Sequence, residues 1–233
     1  MVDGSPFGRA LELLVGLDPG VLQVVGFSLV MSGLATACAA AIGLPAALAL
    51  GLGRFPGRRP LRALVRSMMM FPAVLIGLLV YLLLGRRGAL GGMELLYTPG
   101  AIVLAQTALA FPLVTALLVA AFEAVDPLLL DAVRTTGAGR WWVARAAVRQ
   151  AAPGLFAAAL TGFARVIGET GMTMMVGGNI LGRTRTMTTS IATESMRGEF
   201  ETAIALGLVL LLVSIAVNVV LALLEPRADA RAR

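Results

Sequence analysis

The chain has 233 residues, 58% of them hydrophobic, and a mean hydropathy of +0.90, well above the roughly half-apolar composition of a soluble domain, which identifies an integral membrane protein. Its formal charge of +6 comes from 19 arginines against 13 acidic residues, because the sequence contains no lysine; it also has no histidine and one cysteine. Those absences exclude a phosphate-binding P-loop with its lysine, a zinc site and histidine-based acid–base catalysis, so neither a cofactor nor a catalytic centre of its own is expected.

In chain order, residues 6–17 read as a short amphipathic helix on the outer membrane surface, ended by Asp18, Pro19 and Gly20. No basic stretch followed by a removable apolar core is present, so no cleaved signal peptide is expected, and residues 1–20 form an extracytoplasmic segment. Uncharged runs then cover residues 21–53, 67–85, 95–122 and 202–224, each near or above the ~20 residues that a helix needs to cross hydrocarbon. A further apolar stretch, 153–176, is interrupted by Arg165 and Glu169. The expected fold is all-α, with five transmembrane helices in residues 21–225 and a cytoplasmic tail at 226–233. Pro45, Pro72 and Pro112 predict kinks inside spans, and the abundant glycine and alanine predict close helix packing. Gln106 and Asn218 suit interhelical hydrogen bonds, and Cys38 suits a small packing position. An odd number of spans does not divide into two inverted halves. One copy would be asymmetric around any path, so a homodimer with the path on its two-fold axis is the economical solution.

The arginines cluster by span end. Arg54, Arg58, Arg59, Arg62 and Arg66, then Arg134, Arg140, Arg145 and Arg149, then Arg227, Arg231 and Arg233 place twelve on one side, against six on the other, namely Arg9, Arg86, Arg87, Arg183, Arg185 and Arg197. This basic balance therefore signals orientation in a lipid membrane and not nucleic acid. The positive-inside rule puts the N-terminus outside and the C-terminus in the cytoplasm.

Residues 126–150, DPLLLDAVRTTGAGRWWVARAAVRQ, are too polar to cross a bilayer. Asp126 followed by Pro127 is a helix start, because the carboxylate accepts orphan N–H groups and proline has none to lose. A short helix from Pro127 to about Thr136 is expected, then a turn over Gly137, Ala138 and Gly139 with glycine at positive φ, then a second short helix from Arg140. On that second helix Trp141, Ala144 and Val148 share one face, and Arg145 and Arg149 another.

Arg165 and Glu169, four residues apart, are expected on one helix face within the fourth span. Charges at that depth face each other or a watery cavity, so the pair either neutralises itself or lines a transport path that attracts an anion. Thr170 and Thr173, among Gly168, Gly171, Gly177 and Gly178, can offer hydroxyl and backbone groups to that path. Met172, Met174 and Met175 suit packing or a hydrophobic gate better than copper ligation.

The run Asp131, Ala132, Val133, three residues, then Gly137 resembles the "EAA…G" cytoplasmic loop of ABC importer permeases, with aspartate in place of the usual glutamate. Gly168-Glu169-Thr170-Gly171, then residues 174–180 (MMVGGNI), then Thr184-Arg185-Thr186 resemble the permeases of tungstate and molybdate importers. The resemblance implies a fold like that of a type I importer permease in a bacterial or archaeal plasma (inner) membrane. It also implies a partner ATPase dimer docked on Asp131, Ala132, Gly137, Arg140, Trp141 and Arg145. In such a family the external segment 179–200 dips toward the pore and meets an extracytoplasmic substrate-binding protein, which assigns Asn179, Arg183, Thr184 and Arg185 to that contact or to an outer gate. The function implied is ATP-driven import of tungstate. Molybdate, sulfate, phosphate or another solute remains an alternative, as does a proton-coupled transporter that uses Glu169.

Overall fold

Every regular element among the described residues, 6–53 and 55–224 of the computed structural model, is helical. The first five residues, Arg54 and the expected tail at 226–233 with Arg227, Arg231 and Arg233 lie outside that set. The α-helices are α1 (Pro6–Val15), α2 (Pro19–Leu52), α3 (Arg58–Met68), α4 (Ala73–Leu84), α5 (Pro99–Glu123), α6 (Pro127–Thr135), α7 (Arg140–Ile167), α8 (Gly171–Gly177), α9 (Met187–Arg197) and α10 (Phe200–Leu224).

Four of these, α2, α5, α7 and α10, are long and apolar enough to cross a membrane, and the bent pair α3–α4 brings the number to five if its two limbs count as one span. The run 67–85, expected as one kinked span, is instead folded by 96° at the break between α3 and α4. Its cause is local. Pro72 cannot sit in a helix interior without losing a hydrogen bond and clashing with the preceding turn, so it becomes the residue before α4. The basic α3, with four arginines in 11 residues and none of its residues buried, is thereby separated in direction from the apolar α4.

Asp18 does not simply end α1. Its carboxylate accepts the Val21 N–H at 3.0 Å and starts α2, with Pro19 in the first turn, while α1 stops at Val15 and Leu17 turns the chain with φ of 50°. The second helix of the 126–150 segment is likewise not short: α7 runs unbroken from Arg140 through Pro153 to Ile167. Helix α5 is the hub and packs against α2, α3, α4, α7 and α8. Small buried residues such as Ala39, Ala47, Ala101, Ala105 and Ala110 line these seams around Val114 and Phe122, letting backbones approach where lipid supplies no hydrophobic drive between helices. Two expectations fail in detail. Cys38 is exposed on α2 instead of packed, and Asn218 donates to the Ser214 carbonyl at 2.8 Å within its own helix instead of crossing to a neighbour.

Candidate functional site

The segment 126–150 forms a helical hairpin at one end of the bundle. Asp126 accepts the Leu128 N–H at 2.9 Å and caps α6 as its sequence requires. Leu130 anchors the helix by burial, whereas Leu128 and Leu129 are exposed. Asp131 and Ala132 lie on the exposed side, with Asp131 paired to Arg134 at 2.6 Å. Gly137 takes φ of +79°, the left-handed conformation that the turn needs, with open space around it. Beyond the turn the face of α7 turned inward is Ala147 and Ala151, with Val143 and Val148 partly buried. Trp141 does not join that face: it is 73% exposed, beside exposed Arg140 and Arg145. Arg140 and Trp141 border an open groove of about 940 Å³ whose floor includes Leu48 and Leu52 of α2.

The fourth span breaks where Gly168 ends α7, and α8 begins at Gly171. Arg165 and Glu169 therefore do not share a continuous helix. Glu169 lies in the break, and its carboxylate meets Arg165 at 3.2 Å and accepts the Met172 N–H at 3.4 Å, so it ties the end of α7 to the start of α8. The environments of the two charges differ: the Arg165 side chain is 43% exposed and that of Glu169 13%. Thr170, partly buried, precedes α8, and Thr173 on α8 is buried with no hydrogen-bond partner for its hydroxyl. Gln106 of α5 donates to the Val166 carbonyl at 3.4 Å, as expected of an interhelical bond, but its own carbonyl oxygen is also unpartnered. Ile102 lies against Gly177, and α5 begins where α8 ends, at the bond from the Tyr97 N–H to the Val176 carbonyl. One turn on along each helix come Gln106 and Thr173, so the break carries two buried polar groups with unused capacity.

At the far end of α8, residues 179–200 fold into a packed unit of turns and α9 with a polar interior. Thr186 caps α9 in a reciprocal pair with Thr189. Thr184 is fully buried and accepts the Ile180 N–H at 2.9 Å. Arg185 pairs with Glu194 at 2.9 Å, both side chains nearly buried, and Asn179, at φ of 50°, donates to Thr193 at 2.6 Å. Arg183 is exposed. Two longer links fix this unit: the Met187 N–H donates to Ser28 of α2 at 2.7 Å, and the Thr188 hydroxyl donates to the Glu169 carbonyl at 3.0 Å. Thr184 and Arg185 thus serve the interior of this unit, and Arg183 is the accessible member of the expected set.

One cluster is made of arginines that the sequence marked only for orientation. Arg58 and Arg62 of α3 donate to the last carbonyls of α2, with Nε to the Leu50 oxygen at 2.6 and 2.8 Å respectively, and Arg62 also pairs with Glu123 at the end of α5. Their spacing was the available signal: two arginines four apart, just beyond the helix-ending Gly53, sit on one face and can satisfy orphan carbonyls.

Residues 40–230 match the family described as the binding-protein-dependent transport system inner membrane component. The chain is 42% identical over 215 residues to the tungstate uptake system permease protein TupB of Peptoclostridium acidaminophilum, covering 92% of this chain and 94% of that one. It is 38% identical over 216 residues to a probable anion ABC transporter permease protein of Haloferax volcanii, covering 91% and 93%. Among solved structures, a chain of the MetNI methionine ABC transporter in an inward-facing conformation superposes with a TM-score of 0.67 at 19% identity, over 88% of this chain and 96% of that one, a likeness of fold. With the family match spanning most of the sequence and the helical layout shared, the chain belongs to the inner-membrane permease components of binding-protein-dependent ABC transport systems.

Proposed function

We propose that this permease carries tungstate, using ATP hydrolysed by a partner subunit to drive alternating access. The observation that carries the reading is its similarity, along almost the whole of both chains, to a tungstate uptake permease. Without lysine or histidine, the oxyanion contacts open to this chain are arginine, hydroxyl and backbone N–H groups, and these converge at the broken fourth span. The half-exposed Arg165 guanidinium supplies the charge, Glu169 holds it, and Thr170 and Thr173 add hydroxyls. Two copies place two such breaks about a shared axis.

Helix α6 and the start of α7 face the cytoplasm in this reading. There an ATPase dimer engages Asp131, Ala132, Gly137, Arg140, Trp141 and Arg145. The unit around α9 faces outside, where Arg183 meets a loaded binding protein while Asn179, Thr184 and Arg185 hold the shape of the contact. Residues 1–20 are external and the tail is cytoplasmic. ATP binding closes the ATPase pair on α6 and α7 and opens the bundle outward, and hydrolysis resets it.

The test is uptake by cells deleted for this subunit and complemented with it, in competition among tungstate, molybdate and sulfate. Tungstate uptake should vanish on deletion, return on complementation, and yield to molybdate before sulfate. Normal tungstate uptake in the deletion, with sulfate uptake lost instead, would overturn the substrate assignment.

A further inference from the structure

Helix α3 turns away from α4 by 96°, so the pair forms a bent arm. One limb of this arm lies across the ends of α2 and α5. Its other limb runs back along α8.

At the first limb, the Arg58 guanidinium reaches two of the last carbonyls of α2, those of Leu50 and Gly51. Arg62 also reaches the Leu50 carbonyl, but its distinct contact is the ion pair with Glu123. Glu123 is the last residue of α5, and three residues later Asp126 caps α6. The pair thus ties α3 to the end of α5, three residues before the cap of α6.

At the second limb, α4 meets α8 without slack. A Cβ added at Gly77 would come within 3.0–3.2 Å of the Cγ, Cα and Cβ atoms of Met172, so any larger residue would have to push Met172 back by a few tenths of an ångström. Met172 is wholly buried, and its N–H donates to the Glu169 carboxylate. A close-packed contact of this kind transmits displacement instead of absorbing it.

We infer that Arg62 is a positioning residue for energy coupling: through Glu123 it fastens the α3–α4 arm to the end of α5, from which α6 follows, so that a shift of α6 carried into that junction reaches Met172 and the broken fourth span by a route separate from α7. This rests on α6 being the helix on which the ATPase acts. Both partners of the pair are partly exposed, 21% for Arg62 and 33% for Glu123. Pairs of that kind add little to stability, which separates a transmission role from a scaffolding one.

The experiment uses the complete transporter in proteoliposomes, with ATPase, loaded binding protein and tungstate as the transported probe. The variants are Arg62→Gln, Glu123→Gln and Glu123→Asp, which keeps the charge facing Arg62. Each glutamine variant should assemble and hydrolyse ATP on addition of the loaded binding protein at the parental rate, while tungstate delivered per ATP falls roughly three- to thirtyfold, the span expected for residues within a coupling network. Glu123→Asp should retain most of that ratio. Parental delivery per ATP in both glutamine variants would overturn the inference, as would a loss in Glu123→Asp as large as in Glu123→Gln, or loss of assembly in Glu123→Gln, which would mark a scaffold. Asp131→Arg, assayed in parallel, reports on α6 itself: unchanged stimulated hydrolysis there would sink the α6 reading, whereas a parental complex that moves no tungstate would sink the substrate.

Discussion

Glu169 and Arg165 form one contact but are not equivalent. The carboxylate is the more deeply buried and also accepts a backbone N–H, whereas the guanidinium is nearly half exposed. Removing the arginine strands a buried charge, while removing the glutamate leaves a cation that water can reach. Arg165→Leu should therefore lower thermal stability in detergent by more than Glu169→Leu, by about 1–3 kcal/mol for the unpartnered carboxylate. The double variant should recover much of that loss yet move no anion, and full transport by it would remove both charges from the path. Thr173 offers a cleaner separation, because its buried hydroxyl has no partner to lose. Thr173→Val keeps the shape, so stability should stay within about 1 kcal/mol of the parent or rise, while tungstate uptake falls if the hydroxyl contacts the anion. Unchanged uptake would place Thr173 off the path.

The two ends of the 126–150 hairpin show what kind of structure the sequence discloses. Its start was legible because an aspartate before a proline has one economical conformation, and the turn was legible because the loop needs a residue at positive φ, which Gly137 supplies at +79°. Gly137→Val should strain that backbone by about 1–3 kcal/mol although nothing crowds the position. Binding-protein-stimulated ATP hydrolysis should fall, with expression retained, whereas Gly137→Asn, which tolerates the left-handed region better, should retain more of it. Equal hydrolysis by both variants would show that the turn does not set the position of α6. The inward face of α7 was not legible, since Trp141 fits the helical period of an apolar face yet lies outside the bundle. Hydropathy sees period, not which neighbour is present. The break after Ile167 escaped for a similar reason: glycine is common inside transmembrane helices, so Gly168 gave no warning that the two charges would sit on either side of a helix end. The bend before α4 was foreshadowed only as a kink, because proline shows where a helix cannot continue but not how far the chain then turns.

For the whole molecule the spans were countable because the bilayer sets one length for every crossing helix, and the family resemblance was carried by motifs between Asp131 and Thr186, within the stretch 40–230 that matches the family. Hydrogen bonds between distant residues, such as Met187 to Ser28, leave no periodic trace and needed the fold. Orientation is a physical claim of a different kind, resting on the arginine excess at the α6 end of the bundle. It predicts that α6 faces the cytoplasm and that the turn before α9 faces outside. With Cys38 first changed to serine, Arg183→Cys and Thr136→Cys place one reactive thiol at an exposed position at each end, and Thr136 avoids the strain that any side chain would meet at Gly137. An impermeant maleimide should label position 183 in intact cells and position 136 only after permeabilisation. Labelling at 136 from outside would invert the topology and remove α6 from the reach of a cytoplasmic ATPase, and the coupling role of Arg62 would fall with it.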